Sequence, residues 1–197
     1  MKTNMDAIIE PYIDKLFCAL RGAHVQDSIH ALANELGAVA ASGRSIYLCG
    51  NGGSAGNAIH LANDLLYGAG KTNGVGLSVE ALSANGAVMT CLGNDLGYEN
   101  IFSEQIRVKG RAGDLLVVLS GSGNSPNIAK AITTAKAVGV NTWAILGFDG
   151  GICKTLANNV IHFEVHDMQV AEDLQLIVGH LCMQWLSTQT FDRTKDI

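Results

Sequence analysis

No basic stripe, no paired-cysteine motif and no long uninterrupted apolar run occurs in this chain, and each absence removes a class of function. Its 13 Lys and Arg stand against 18 Asp and Glu, a net charge of −5. The cations are scattered, which argues against nucleic acid as the main ligand, so an anionic small molecule would need a local site. The five cysteines, Cys18, Cys49, Cys91, Cys153 and Cys182, are odd in number, widely separated and mostly set in apolar runs. They read as reduced core residues, not as a disulfide framework. No window reaches the roughly 18 apolar residues that a membrane span needs. The first residues, MKTNMDAIIEPYIDKLF, lack a charged region leading into a continuous apolar stretch. The expectation is a cytoplasmic protein with neither membrane nor nucleic acid among its partners.

Charge is scarce overall: 16% of residues are charged against 48% hydrophobic, with a mean hydropathy of +0.22. A chain of 197 residues buries one sizeable core. This composition offers more apolar surface than one small globule hides, which favours an obligate homo-oligomer. We expect a single domain over 1–197, with a helical segment over about 1–41 and an α/β core over about 42–197.

From about Met5 to Ala41 apolar residues recur at helical spacing with a break near Gly22, which predicts two helices suited to packing against partner subunits. The run SIYLCG reads as a strand, followed by a loop and a helical pattern from Ser54 to about Tyr67. The pattern returns in DLLVVLSGSG with the helix NSPNIAKAITTAKAVG. It returns again in NTWAILGFDGG with the short helix KTLANN and the strand VIHFEV. Strands alternating with helices predict a three-layer αβα sandwich around a mainly parallel sheet. A last amphipathic helix is predicted from about Val170 to Thr188.

In such a sheet ligands bind beyond the carboxyl ends of the strands. Two loops fall there. Gly50-Asn51-Gly52-Gly53-Ser54 lets the backbone approach a ligand and points helix N–H groups at it. Ser120-Gly121-Ser122-Gly123-Asn124-Ser125 sets three hydroxyls at a helix start, an arrangement suited to a phosphate monoester. Either loop alone is equally at home as an ordinary turn before a helix. Among the ionisable groups, His60 and Asp64 share one helical face, and Glu172 and His180 lie two turns apart on the last helix. These four residue types suit a divalent metal, or an acid and a base for proton transfer.

GNGGSA at Gly50, H-x-x-x-D at His60, GND-x-G-Y at Gly93, S-x-SGNSPN at Ser120 and G-x-DGG at Gly147 resemble the phosphoheptose isomerases of the SIS (sugar isomerase) superfamily. The resemblance runs from about Ser45 to Trp185. It implies the three-layer fold, a homotetramer with active sites between subunits, and conversion of sedoheptulose 7-phosphate to a glycero-manno-heptose 7-phosphate for surface polysaccharide. It implies phosphate binding by Ser120, Ser122 and Ser125, with Asn51, Gly53 and Ser54 near the sugar and Asn94 and Asp95 close by. It further implies zinc on His60, Asp64, Glu172 and His180, with Asp64 as base and His180 as acid. A non-catalytic SIS protein that only binds phosphosugars, as a regulator or a replication-initiator-associating protein, and an isomerase of a different sugar phosphate are the competing readings. The family usually carries glutamate at Asp64, glutamine at Glu172 and histidine at Gln175. It also carries an arginine in the stretch occupied here by LLYGAG, and an aspartate where Asn85 stands. Aspartate reaches about 1–1.5 Å less far than glutamate, enough to matter for proton transfer. The extra carboxylate at Glu172 favours a metal.

Overall fold

The computed structural model describes residues 4–22, 24–71 and 76–189. Five parallel strands form one sheet: β1 (Ile46–Gly50), β2 (Val79–Ala81), β3 (Leu115–Ser120), β4 (Asn141–Leu146) and β5 (Asn159–His162), in the order β2-β1-β3-β4-β5. Ile46 pairs with both Val79 and Leu115, and Leu115 in turn with Asn141. The helices are α1 (Asp6–Leu20), α2 (Val25–Ala41), α3 (Gly53–Asn63), α4 (Gly86–Leu96), α5 (Ser103–Lys109), α6 (Pro126–Ala137), α7 (Cys153–Leu156) and α8 (Met168–Ser187).

The central strands are buried from end to end because both faces of the sheet are covered, and alternate side chains feed two separate cores. Ile46, Leu48, Leu115, Val117 and Leu119 pack with residues of α2, α3 and α8. Tyr47, Cys49, Leu116 and Val118 pack with residues of α5 and α6 on the other side. The expected three-layer αβα sandwich is therefore the observed one, with every strand pair parallel. Cys49, Cys153 and Cys182 lie in these cores, where burial pushes their thiols up, Cys153 to about 11 and Cys182 to about 12. Cys18 and Cys91 are exposed, contrary to the core reading of all five.

Strand order places the functional site. β1 connects through α3 to β2 on one side, whereas β3 connects through α6 to β4 on the other. The loops leaving the carboxyl ends of β1 and β3 therefore diverge and open a crevice. Those are the two loops singled out in the sequence.

Three elements were not anticipated: β2, α4 and α5. β2 is only three residues long, too short to show a period, and α4 has no fully buried residue, resting on the second core through partly buried Met89 and Leu92. The helix expected over Ser54–Tyr67 is helical throughout but changes its hydrogen-bond pattern on the way. α3 gives way at Asp64 to a π-turn (Asp64–Gly68) closed by the Ala69 N–H donating to Asp64 O at 2.9 Å.

Helix α1 has no buried residue. It is tied down by two polar contacts to the start of α8. Tyr12 donates to Asp173 at 2.5 Å, and Lys15 to Asp167 at 2.6 Å. Burial first, then the Asp173 carboxylate, raises the Tyr12 hydroxyl to about 12. The Lys15 ammonium holds Asp167 below the usual carboxylate range. Among the described residues no helix is long and apolar enough to cross a membrane.

Candidate active site

A cleft of about 260 Å³ opens between the two loops, lined by Asn51, Gly52, Gly53, Ser54, Ser120, Gly121, Ser122, Ser125 and Glu172, with Leu119 and Met168. Its phosphate-type loop, 120–125, is shaped from within and clasped from outside. Ser120, 5% exposed, spends its hydroxyl accepting the Gly123 N–H at 3.0 Å. From the β4–α7 loop, the Gly147 N–H donates to Gly121 O at 2.9 Å and the Cys153 N–H to Gly123 O at 3.0 Å. The Ile152 N–H donates to Asn124 Oδ1 at 3.1 Å. The carbonyls of Gly121 and Gly123 are thereby bound to that neighbouring loop, while Ser122 and Ser125 line the cleft. Gly123 has φ +66°, and a Cβ there would sit 2.0 Å from Gly150 O, so no other residue fits. Ser125 caps α6 without spending its side chain on the helix, because the Ile128 N–H that such a cap would accept already donates to Asn127 Oδ1 at 3.0 Å and to Ser125 O at 3.1 Å. Its hydroxyl is left for a ligand.

The second constellation lies farther along α3 and α8. His60 Nε2 is 2.9 Å from His180 Nε2. Asp64 Oδ2 stands 3.4 Å from each of these nitrogens. The three ligand atoms lie within 4.8 Å of one another. Two imidazoles and one carboxylate with solvent access match the donor set of a catalytic divalent-metal site that keeps a position open. Glu172 does not join this cluster. Two helical turns, about 12 Å of rise, separate it from His180, and its carboxylate lies against Gly53 in the cleft. The four-ligand set implied by the resemblance thus divides into a triad and a cleft carboxylate. Asn94 and Asp95 sit on α4, hydrogen-bonded to each other at 2.7 Å, and do not line the cleft.

What aligns the two constellations is the contact between α3 and α8, which run in the same direction. Gly53 of α3 faces the Glu172 carboxylate, and a Cβ at Gly53 would come within 2.2 Å of it. Asn57 Nδ2 bridges to Glu172 O at 2.9 Å and to Gln175 Oε1 at 3.0 Å. At the far end Gly179 of α8 faces Leu61, where a Cβ would come within 2.2 Å of Cδ2. Because Leu61 and Gly179 adjoin His60 and His180, this approach brings the two imidazoles together. Sequence reasoning missed Gly179. A lone glycine inside an apolar helical pattern was the available signal.

A doubly wound parallel sheet with a Ser/Gly loop at its switch point defines the class: residues 12–147 match the family described as SIS domain. A phosphoheptose isomerase of Akkermansia muciniphila is 39% identical over 150 residues, covering 76% of this chain and 79% of its own. That of Clostridium acetobutylicum is 30% identical over 196 residues, covering the whole of both. The structure of the phosphoheptose isomerase from Neisseria gonorrhoeae superposes with a TM-score of 0.85 at 27% identity, covering 94% of this chain and 97% of that one. The chain belongs to the phosphoheptose isomerase family of SIS-domain proteins.

Two glycine substitutions separate the α3–α8 contact from helix propensity. Gly179→Ala is expected to lower stability by about 1–3 kcal/mol through overpacking against buried Leu61. Gly56→Ala, on the same helix pair with nothing near its Cβ direction, should raise it by about 0.5–1 kcal/mol. Urea unfolding of both variants checks the opposite signs.

Proposed function

We propose that this protein is an aldose–ketose isomerase that interconverts sedoheptulose 7-phosphate and D-glycero-D-manno-heptose 7-phosphate. The observation that carries the reading is the alignment of a hydroxyl-rich cleft with a His/Asp/His cluster along one helix pair. His60 follows Gly53 by seven residues, a rise of about 10 Å. That separation is of the order of an extended seven-carbon chain with its phosphate at one end and its carbonyl at the other.

In this reading Ser122, Ser125 and the amides around them hold the phosphate, with Ser120 shaping their loop. Asn51, Gly53 and Ser54 line the path of the sugar, and the Glu172 carboxylate accepts hydrogen bonds from its hydroxyls. A carboxylate beside a phosphate would repel it, so Glu172 suits the middle of the chain better than its end.

Isomerisation needs a proton removed from the carbon beside the carbonyl, an enediol(ate), and return of the proton to the neighbouring carbon. Asp64 takes that proton as base. His180 passes the hydroxyl proton from one sugar oxygen to the other as the carbonyl changes place. Asp64 Oδ1 accepts a contact from Asn63 Nδ2 at 3.3 Å while Oδ2 faces the histidines, which orients the carboxylate. His60, Asp64 and His180 are also the residues that would hold a zinc ion, which would supply Lewis-acid polarisation of the carbonyl; the base and acid roles of Asp64 and His180 belong to the metal-free site. The binding-only alternative is disfavoured, because a phosphosugar sensor has no need of two imidazoles and a carboxylate at the far end of its ligand.

We also propose that the working form is a homotetramer with its sites near subunit contacts. Ile8, Ile9, Ile13 and Phe17 are all exposed on α1. Beside them an apolar groove of about 400 Å³ is lined by Leu20, Ile29, Ala33, Leu181 and Trp185. Leu181 adjoins His180, so a subunit seated there would border the His/Asp/His cluster.

Three experiments test these assignments. Sedoheptulose 7-phosphate should be turned over by the wild type, with His180→Ala reducing kcat by about 10²-fold or more. Phosphosugar binding without turnover would favour another substrate or a binding-only protein. Ser122→Ala and Ser125→Ala should each weaken substrate affinity by about 1–3 kcal/mol with the fold intact; unchanged affinity in both, measured by calorimetry, removes the phosphate assignment. Phe17→Glu should convert a tetramer in sedimentation analysis to smaller species, and a wild-type monomer would contradict the assembly.

A further inference from the structure

Asn51 reaches the cleft from the loop after β1, and what it offers a ligand is set by a residue on a different element. Asn127, in the first turn of α6, is 2% exposed. Its Oδ1 accepts the backbone N–H of Ile128 at 3.0 Å. A backbone N–H only donates, so the Asn127 atom facing it must be the oxygen, and the other side-chain atom must be the nitrogen. That Nδ2 donates to Asn51 Oδ1 at 2.8 Å, while Asn51 Nδ2 donates back to Asn127 Oδ1 at 2.9 Å. The two amides form a closed ring. Turning either one over would set oxygen against oxygen and nitrogen against nitrogen.

The remaining capacity of Asn51 can be counted. Its oxygen accepts from Asn127 and also from the Tyr98 hydroxyl at 3.2 Å, which uses both lone pairs. One of its two N–H bonds goes to Asn127, and a single N–H is left. We propose that Asn127 is a positioning residue that holds Asn51 as a hydrogen-bond donor only, so that Asn51 selects an acceptor oxygen on the bound sugar phosphate. The same ring ties the loop after β1 to the start of α6, and so keeps the two walls of the cleft in register. The proposal rests on the reading of this cleft as the sugar-phosphate site.

A double-mutant cycle on sedoheptulose 7-phosphate tests it, with affinity from calorimetry and KM and kcat from turnover. Asn51→Ala and Asn127→Ala should each raise Kd and KM roughly tenfold, with kcat little changed. The double variant should be no weaker than Asn51→Ala alone, because Asn127 acts through Asn51. Penalties that multiply in the double variant, or unchanged affinity in Asn127→Ala, would overturn the proposal. Asn127→Asp serves where the alanine variant fails to fold. It keeps the acceptor for Ile128 but has no N–H for Asn51, and it should show the same rise in KM; wild-type affinity in that variant is the contrary result. A wild type that neither binds nor converts sedoheptulose 7-phosphate would instead remove the reading of the cleft, and the proposal with it.

Discussion

The site depends on how closely α3 and α8 approach each other. Two glycines make that possible, one on each helix and one at each end of the contact. Gly53 leaves room for the Glu172 carboxylate, and Gly179 leaves room for Leu61. Between them Asn57 bonds to both Glu172 O and Gln175 Oε1 and fixes the register. Since the two helices run in the same direction, their N-terminal ends meet at the cleft and their later turns bring His60 to His180. A shift of one residue in this register would carry the imidazoles apart and leave the cleft without its aligned partner cluster.

The sheet supplies the second constraint. Because β1 and β3 send their crossovers in opposite directions, the crevice between their loops exists whatever side chains fill it. The particular chemistry comes from how the loop after β3 is held. Its carbonyls are engaged by N–H groups of the β4–α7 loop, and a glycine with φ +66° permits the contact. What faces the cleft is then the Ser125 hydroxyl together with that of Ser122, whose oxygen accepts the Asn124 N–H at 3.3 Å and whose own O–H stays available to donate. The G-x-DGG motif at Gly147 thus belongs to the site through its backbone rather than its side chains.

Much of this was legible in the sequence. The strands IYLC, LLVVL and TWAIL are fully buried in the protein, and such short apolar runs between glycine-rich turns leave few alternatives to a parallel sheet. The i, i+4 pair His60 and Asp64 was visible as one helical face. Its partnership with His180 came only from the family resemblance, since 120 residues separate the histidines and only the fold brings them together. Glu172 shows the limit from the other side: motif matching groups it with the cluster, yet two helical turns place it in the cleft. β2 was invisible because three residues leave no period to read, and α5 because it is seven residues long and its buried face, Ser103, Gln105 and Ile106, is mostly polar; α4 touches the core only through partly buried Met89 and Leu92. The Asn51–Asn127 ring could not be foreseen either, for it joins two loops 76 residues apart through side-chain amides alone.

Asp64 sits where α3 changes into a π-turn, a local widening often found at functional positions. From there its carboxylate stands 3.4 Å from each imidazole nitrogen. In the proposed function the phosphate and the reacting carbons of one ligand lie at opposite ends of the α3–α8 contact. The most direct test is a crystal structure of the protein with sedoheptulose 7-phosphate bound. The account predicts the phosphate against Ser122 and Ser125 with the carbonyl end at Asp64 and His180. A sugar whose carbonyl end turns toward α4, away from the histidines, would contradict it.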